Sequence, residues 1–252
     1  GGVLPGVKAD EGEKPEFLHE LLHQEFLLEQ DSHKQIEPYI ERFRAESISI
    51  FSHLDKKRLV IFNYILSQLE ARDMPLELVF IPLIESSYLP NASNAGTHIG
   101  LWQMGKPTAR AFGVPIRGSY DGRYNIEEAT AAALDYLEYL NHFFKGDWLL
   151  TIAAYNAGEG RVQRAVRYNR SLGRPTDYWS LTLPTITKQY IPKMLALAYL
   201  ATHDRHFRVK RKEIPKLARV EVSEPEQLTE VVKRLSINDQ TLQFYNPHYS
   251  YS

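Results

Sequence analysis

Apolar positions recur at three- to four-residue spacing through most of the first two hundred residues, the period of helices buried along one face. Phe17–Glu29 is a short amphipathic stretch. Between Ser32 and Glu70, Ile36, Ile40, Phe43, Leu59, Phe62 and Leu66 mark two or three further helical segments. Met74–Ser87 is an apolar run opened by a proline and carrying Glu85 at its far end, and Pro82 inside it predicts a kink. Asn125 followed by Glu128 reads as a capping box opening a helix to about Phe144, with Ala132, Leu134, Leu137 and Leu140 as apolar positions. Asp147–Asn156 reads as a short buried helix ending near Gly158, Glu159–Asn169 as another, and Thr185–Thr202 as a longer one kinked by Pro192.

Two segments depart from this period. Residues 88–125 are rich in Asn, Gly, Ser, Pro and Tyr and read as loops, with a short strand or hairpin between short helices. Such segments often carry function. Beyond His206 the chain is basic and broken by proline. Leu217–Val222 then alternates like a strand, 225–235 reads as a helix and 236–247 as a second one, a β-α-α appendage cut before its closing strand. The reading divides the chain into an N-terminal arm and short helix (1–30), a mainly α domain (31–205) and a small appended unit (206–252).

Composition narrows the partners. With 43% hydrophobic and 24% charged residues in 252, the chain is expected to fold around a sizeable core. Its 30 basic and 31 acidic residues give no global electrostatic pull toward nucleic acid. The absence of cysteine excludes disulfides, thiolate metal sites and cysteine nucleophiles. No run of 18 apolar residues exists, so no membrane crossing is expected of this chain.

Two features could carry chemistry. His19-Glu20-Leu21-Leu22-His23 fits H-E-x-x-H, which on a helix can set two imidazoles toward zinc with Glu20 as base. Its place ahead of the whole core favours an amphipathic helix instead, with Phe17, Leu21, Leu22 and Phe26 inward and the histidines exposed. Glu85 is the second feature. Burial behind Val79, Phe80, Ile81, Leu83 and Ile84 would disfavour its charge and suit a general acid, whereas a solvated helix end would leave it inert.

Downstream of Glu85-Ser86 the chain reads Gly100-Leu101-Trp102-Gln103, then Thr108, then Ala154-Tyr155-Asn156-Ala157-Gly158-Glu159-Gly160-Arg161-Val162, and finally Lys188-Gln189-Tyr190-Ile191-Pro192-Lys193-Met194. In this order and spacing the blocks resemble the lytic transglycosylases of the lysozyme-like superfamily, most closely their membrane-bound D branch. The resemblance runs from about Ser32 to Thr202 and implies a lysozyme-like catalytic domain. It implies Glu85 as acid and base, with Ser86 as a supporting hydroxyl. Gln103 is implied as a sugar contact, Thr108 as groove lining, Tyr155 and Asn156 as neighbours of the acid, and Tyr190 as a hydrogen-bonding residue near it. Asn94 stands where many relatives have Ser, and Gly105 and Lys106 stand where they have an apolar residue and Pro.

The activity implied is cleavage of the β-1,4 bond between N-acetylmuramic acid and N-acetylglucosamine in peptidoglycan, without water, leaving a 1,6-anhydro sugar. One carboxylate suffices for this, where ordinary glycosidases use two. Asp121, Glu127 and Glu128 are the other carboxylates open to such a role. No metal or cofactor is implied. The expected partner is the glycan strand, met by a monomer in the bacterial periplasm, with a lipid anchor to the outer membrane supplied by residues ahead of this chain. Residues 206–252 resemble a truncated LysM-type module. Trp102 could meet sugar or pack in the core, Lys106 could meet a peptide carboxylate or solvent, and Arg161, Arg164, Arg167 and Arg170 form a stripe that reads as a solvated helix face. A wall-binding scaffold without turnover is the reading from a different class.

Overall fold

The computed structural model describes residues 14–28, 34–46, 51–219, 230 and 232–248. Helix α1 (Leu18–Glu25) buries Leu18, Leu21 and Leu22, and α2 (Glu37–Ala45) buries Ile40 and Phe43. Asp55 caps α3 (Lys56–Ala71) by accepting from the Arg58 amide at 3.0 Å. Helix α6 (Ile126–Phe143) opens at Asn125, whose side chain accepts from the Glu128 amide at 2.9 Å, and α7 (Trp148–Ala157) opens at Asp147. Helices α8 (Glu159–Ser171) and α9 (Thr185–Ala201) follow, with Pro192 inside the second. The predicted helices of this region thus hold to within a residue or two.

Helix α7 is the hub, packing against α6, α8 and α9, while α9 also meets α1 and α2. Leu150–Ala154 is buried throughout, which accounts for a sequence apolar on every face rather than along one stripe. Gly158 closes α7 with φ 91° and ψ 143°, a backbone region open to glycine and costly for other residues. The chain then turns directly into α8.

Met74–Ser87 is a correction to the reading of one kinked helix. Leu76–Phe80 is a 3₁₀ helix, and a separate short helix, α4 (Ile81–Ser86), starts after it with Pro82 in its first turn. Proline has no N–H to give an upstream carbonyl, so the chain restarts at Ile81, where that loss costs nothing. Residues 88–125 hold two minimal antiparallel hairpins, β1 (Ser93–Asn94) with β2 (His98–Ile99) and β3 (Ile116–Arg117) with β4 (Tyr120–Asp121). Asn94 pairs with His98, and Arg117 with Tyr120. The short helix α5 (Lys106–Ala111) lies between them.

Arg123 ties these loops together. It is buried, and its Nη1 donates to the carbonyls of Thr97 and Met104, each at 3.0 Å, while its Nη2 meets Asp121 at 2.8 Å. A buried guanidinium is tolerated because every donor edge meets an oxygen.

The N-terminal helix is clasped by the segment after α9. Leu18 N–H donates to the Val209 carbonyl at 2.8 Å and Arg211 N–H to the Glu16 carbonyl at 3.0 Å. Of the predicted strand Leu217–Val222, residues 217–219 lie outside any strand and 220–222 lie outside the described residues. Of the predicted helix 225–235, residues 230 and 232–235 are helical, and 225–229 and 231 lie outside the described residues. The predicted second helix is α10 (Asp239–Tyr245), and the Tyr245 hydroxyl donates to the Lys57 carbonyl at 2.8 Å. No described helix is long and apolar enough to cross a membrane.

Candidate active site

Glu85 is the penultimate residue of α4, and the chain around it is fixed from several sides. Ser87 and Tyr88, at φ 52° and 61°, turn the backbone sharply out of the helix. Two adjacent non-glycine residues in the left-handed region cost energy that the surroundings must supply. Tyr88 is fully buried, and its hydroxyl donates to the Val79 carbonyl at 2.6 Å. Arg58 Nη1 donates to the Ser87 carbonyl at 3.1 Å.

Ser86, expected as a supporting hydroxyl beside the acid, is not among the groove-lining residues and is bonded to the backbone. Its buried hydroxyl lies 2.9 Å from the Pro82 carbonyl and 2.8 Å from the Leu101 carbonyl. It therefore joins the end of α4 to the turn at Gly100–Gln103. Trp102 is in the core, wholly buried, with Nε1 donating to the Thr130 hydroxyl at 3.1 Å. Of its two sequence readings, packing is the one realised.

An open groove of about 680 Å³ runs over Glu85. Asn94, Gln103, Thr108, Tyr155 and Asn156, all singled out from sequence, line it together with the carboxyl. Tyr190 does not. It is buried behind the acid, near enough for its hydroxyl to favour the carboxylate, yet without a partner in regular hydrogen-bond geometry. Burial pushes the Glu85 carboxyl up to about 7, opposed by the Tyr190 hydroxyl and the Lys193 charge. Burial also raises the Tyr155 and Tyr190 phenols well above their ordinary range, with the nearby Glu85 charge adding to it. Both stay protonated while the acid titrates.

The two groove walls are linked through the side chains they present. The Tyr155 hydroxyl donates to the Trp102 carbonyl at 2.6 Å. Gln103 sits at φ 52°, and its Nε2 folds back on the Gly100 carbonyl at 2.8 Å. Asn156 accepts at Oδ1 from the Thr187 hydroxyl at 2.8 Å. Behind Tyr155, the rings of Tyr136 and Phe112 continue an aromatic wall, with centroids 5.7 Å and then 5.2 Å apart.

Glu85 is the only acidic residue lining the groove among the described residues. The other carboxylates considered from sequence are engaged elsewhere: Asp121 with Arg123, Glu127 with Arg219 at 3.1 Å, and Glu128 with the Tyr120 hydroxyl at 3.0 Å. Burial acts to raise Asp121, but the Arg123 hydrogen bonds and charge outweigh it and hold the carboxyl below its usual range. Arg161 lines the groove, while Arg164, Arg167 and Arg170 on the same helix are exposed, and so is Lys106.

Sequence reading missed several groove residues. His98 comes in through its pairing with Asn94, and Tyr136, Ile186 and Thr187 through the packing of α6 and α9 around α7. Only Thr187 left a local signal, since it lies three residues before Tyr190, one helical turn away. Glu77, the other acid of the Met74–Ser87 run, has a structural place. It is wholly buried and accepts from the Leu27 and Leu28 amides beyond α1, away from the groove. At the H-E-x-x-H segment, His19 Nε2 lies 3.9 Å from Glu20 and His23 is exposed. Among the described residues no cluster of three or more His, Cys, Asp or Glu is placed to hold a metal.

A helical domain that sets one half-buried carboxyl at the end of a short helix over an open groove is the arrangement of a lysozyme-like transglycosylase domain. Residues 64–177 match the Transglycosylase SLT domain family, and that region belongs to this class of domain. Over 186 residues, 73% of the chain, it is 41% identical to Membrane-bound lytic murein transglycosylase D of Escherichia coli K12. It is 40% identical over 79 residues, 31% of the chain, to Peptidoglycan transglycosylase gp16 of Escherichia phage T7. The matches span 41% of the first relative and 6% of the second, so the chain covers well under two thirds of either.

Proposed function

We propose that this protein is a peptidoglycan lytic transglycosylase that cuts the bond between N-acetylmuramic acid and N-acetylglucosamine with Glu85 as its single acid and base. The observation that carries the reading is the Glu85 carboxyl, the one acid lining the groove among the described residues, held protonated up to about 7 by burial. A protonated acid at neutral pH is what departure of a sugar hydroxyl requires.

In this mechanism Glu85 gives its proton to the bridging oxygen as the bond from the muramic acid C1 breaks, leaving a free hydroxyl on N-acetylglucosamine. The resulting carboxylate then takes the proton of the same muramic acid's C6 hydroxyl as its oxygen bonds to C1. A 1,6-anhydro ring closes, Glu85 is protonated again, and no water is consumed. Attack from within the sugar has a large effective-concentration advantage over solvent water. The absence of a second acid from the described groove residues supports this route over one needing two.

Gln103, Asn94 and Thr108 would position the sugars, and the exposed Ile186 at the rim would offer them an apolar face. Tyr190, behind the carboxyl, would hold the acid in place. The reading places the protein in the cell envelope, on glycan strands. The test is product analysis by mass spectrometry after digestion of purified peptidoglycan: anhydro-ended fragments from the wild type and none from Glu85→Gln. Retained wall binding with no products from either would favour the scaffold reading.

A further inference from the structure

Asn156 has an amide held at one end and free at the other. Its Oδ1 accepts from the Thr187 hydroxyl at 2.8 Å, while no protein hydrogen bond takes its Nδ2 among the described residues. Both residues line the groove over Glu85. An amide oxygen committed to a hydroxyl leaves the NH₂ edge turned away from that hydroxyl, with two donors to give.

Thr187 itself is in an unusual commitment. A threonine near the start of a helix can return its hydroxyl to a carbonyl three or four residues back, here Pro184 or Leu183. This one instead reaches across from α9 to α7. It is 1% exposed, and its own carbonyl accepts from the buried Tyr178 hydroxyl at 2.8 Å, which fixes the backbone beneath the side chain. The hydroxyl proton therefore has one acceptor, Asn156 Oδ1, and the orientation of the amide follows from it.

We infer that Thr187 is a positioning residue, setting the Asn156 amide so that its Nδ2 donates to an acceptor oxygen of the glycan in the groove. This rests on the groove being the glycan site. The requirement is for an uncharged acceptor, a carbonyl or hydroxyl oxygen, met by a donor that need not reorganise when the sugar arrives. Without Thr187 the amide can rotate and present its oxygen, which a substrate carbonyl cannot use.

The test is a mutant cycle on turnover of soluble glycan strands, with binding of a glycan fragment to the Glu85→Gln protein measured alongside by calorimetry. Thr187→Val, which keeps shape and removes the donor, is expected to lower kcat/KM about tenfold, and Thr187→Ser to stay within about twofold of the wild type. In an Asn156→Ala background Thr187→Val should change nothing further, because its effect passes through that amide. Thr187→Ala serves in the same cycle if the valine variant fails to fold. The inference is overturned if the valine variant matches the wild type, if serine loses as much as valine, or if the two changes multiply. No turnover by the wild type would overturn the catalytic reading instead, and fragment binding lowered by Thr187→Val in the Glu85→Gln protein would still uphold the positioning role.

Discussion

The Tyr155 hydroxyl donates to the Trp102 carbonyl at 2.6 Å, and this one bond joins the Ala-Tyr-Asn end of α7 to the Gly-Leu-Trp-Gln turn. Two sequence blocks separated by 53 positions thereby become one groove floor beside Glu85. The tyrosine spends its proton on the backbone, so the acid beside it neither gains a donor from it nor loses its own proton to it. Burial is left as the main influence on the acid, with Tyr190 and Lys193 as the weaker opposing ones.

On the proposed mechanism, activity should follow the protonated form of Glu85. Because burial moves the carboxyl from 4.5 to about 7, kcat/KM should be flat below that value and fall as pH rises through it. A pH profile on soluble strands checks this. A fall already complete near pH 5 would mean the carboxyl is not held protonated.

The same shift makes Glu85 a cost to the fold above neutrality. The folded chain keeps the proton between 4.5 and about 7, where an unfolded carboxyl has lost it, so stability declines as pH rises across that window. The cost is on the order of 3 kcal/mol once ionisation is complete. Glu85→Gln, which cannot ionise, should melt several degrees above the wild type at pH 8.5 and show little gain at pH 4. Thermal unfolding at the two pH values decides it.

Ser86 is expected to act on the fold rather than on the substrate. Removing its hydroxyl strips the Leu101 carbonyl of a buried donor, so Ser86→Ala should lower stability by about 1–2 kcal/mol while retaining the Glu85 pH profile. Denaturant unfolding gives the first quantity and a pH–rate profile the second. Loss of the profile at unchanged stability would return Ser86 to the chemistry.

Gly100 allows the groove turn to touch Arg123. A Cβ there would lie 2.0 Å from the Arg123 carbonyl oxygen, and φ is +79°. Gly100→Ala must push the turn away from Arg123, and the loss should exceed about 2 kcal/mol. Activity should fall with it, since Gln103 hangs on the same turn. Melting unchanged to within a degree would refute this account of the turn.

The helices from Asn125 onward were legible because caps and apolar periods agree there: Asn125, Asp147 and Gly158 each mark a boundary the structure keeps. Pro82 is ambiguous in the sequence because a proline in an apolar run can kink one helix or start the next, and only the packing of Leu76–Phe80 decides between them. Glu85 carried its own signal, a lone acid closing an apolar run, but its solvation did not, since burial depends on α9 and the 100–103 turn. Ser86 shows the limit of motif reading: it adjoins the acid in sequence, yet its hydroxyl bonds to the Leu101 carbonyl and it is not among the groove-lining residues. His98 reaches the groove through strand pairing that no local pattern encodes, and Thr187 through helix packing at which its one-turn spacing from Tyr190 only hints.

The most direct measurement is digestion of purified peptidoglycan in heavy-oxygen water, followed by mass spectrometry of the soluble fragments. Ring closure by the C6 hydroxyl predicts ends one water lighter than hydrolysis products, with no heavy oxygen in them, and their loss in Glu85→Gln. Reducing ends carrying heavy oxygen would contradict the account, because water would then be the nucleophile and a second base would have to activate it.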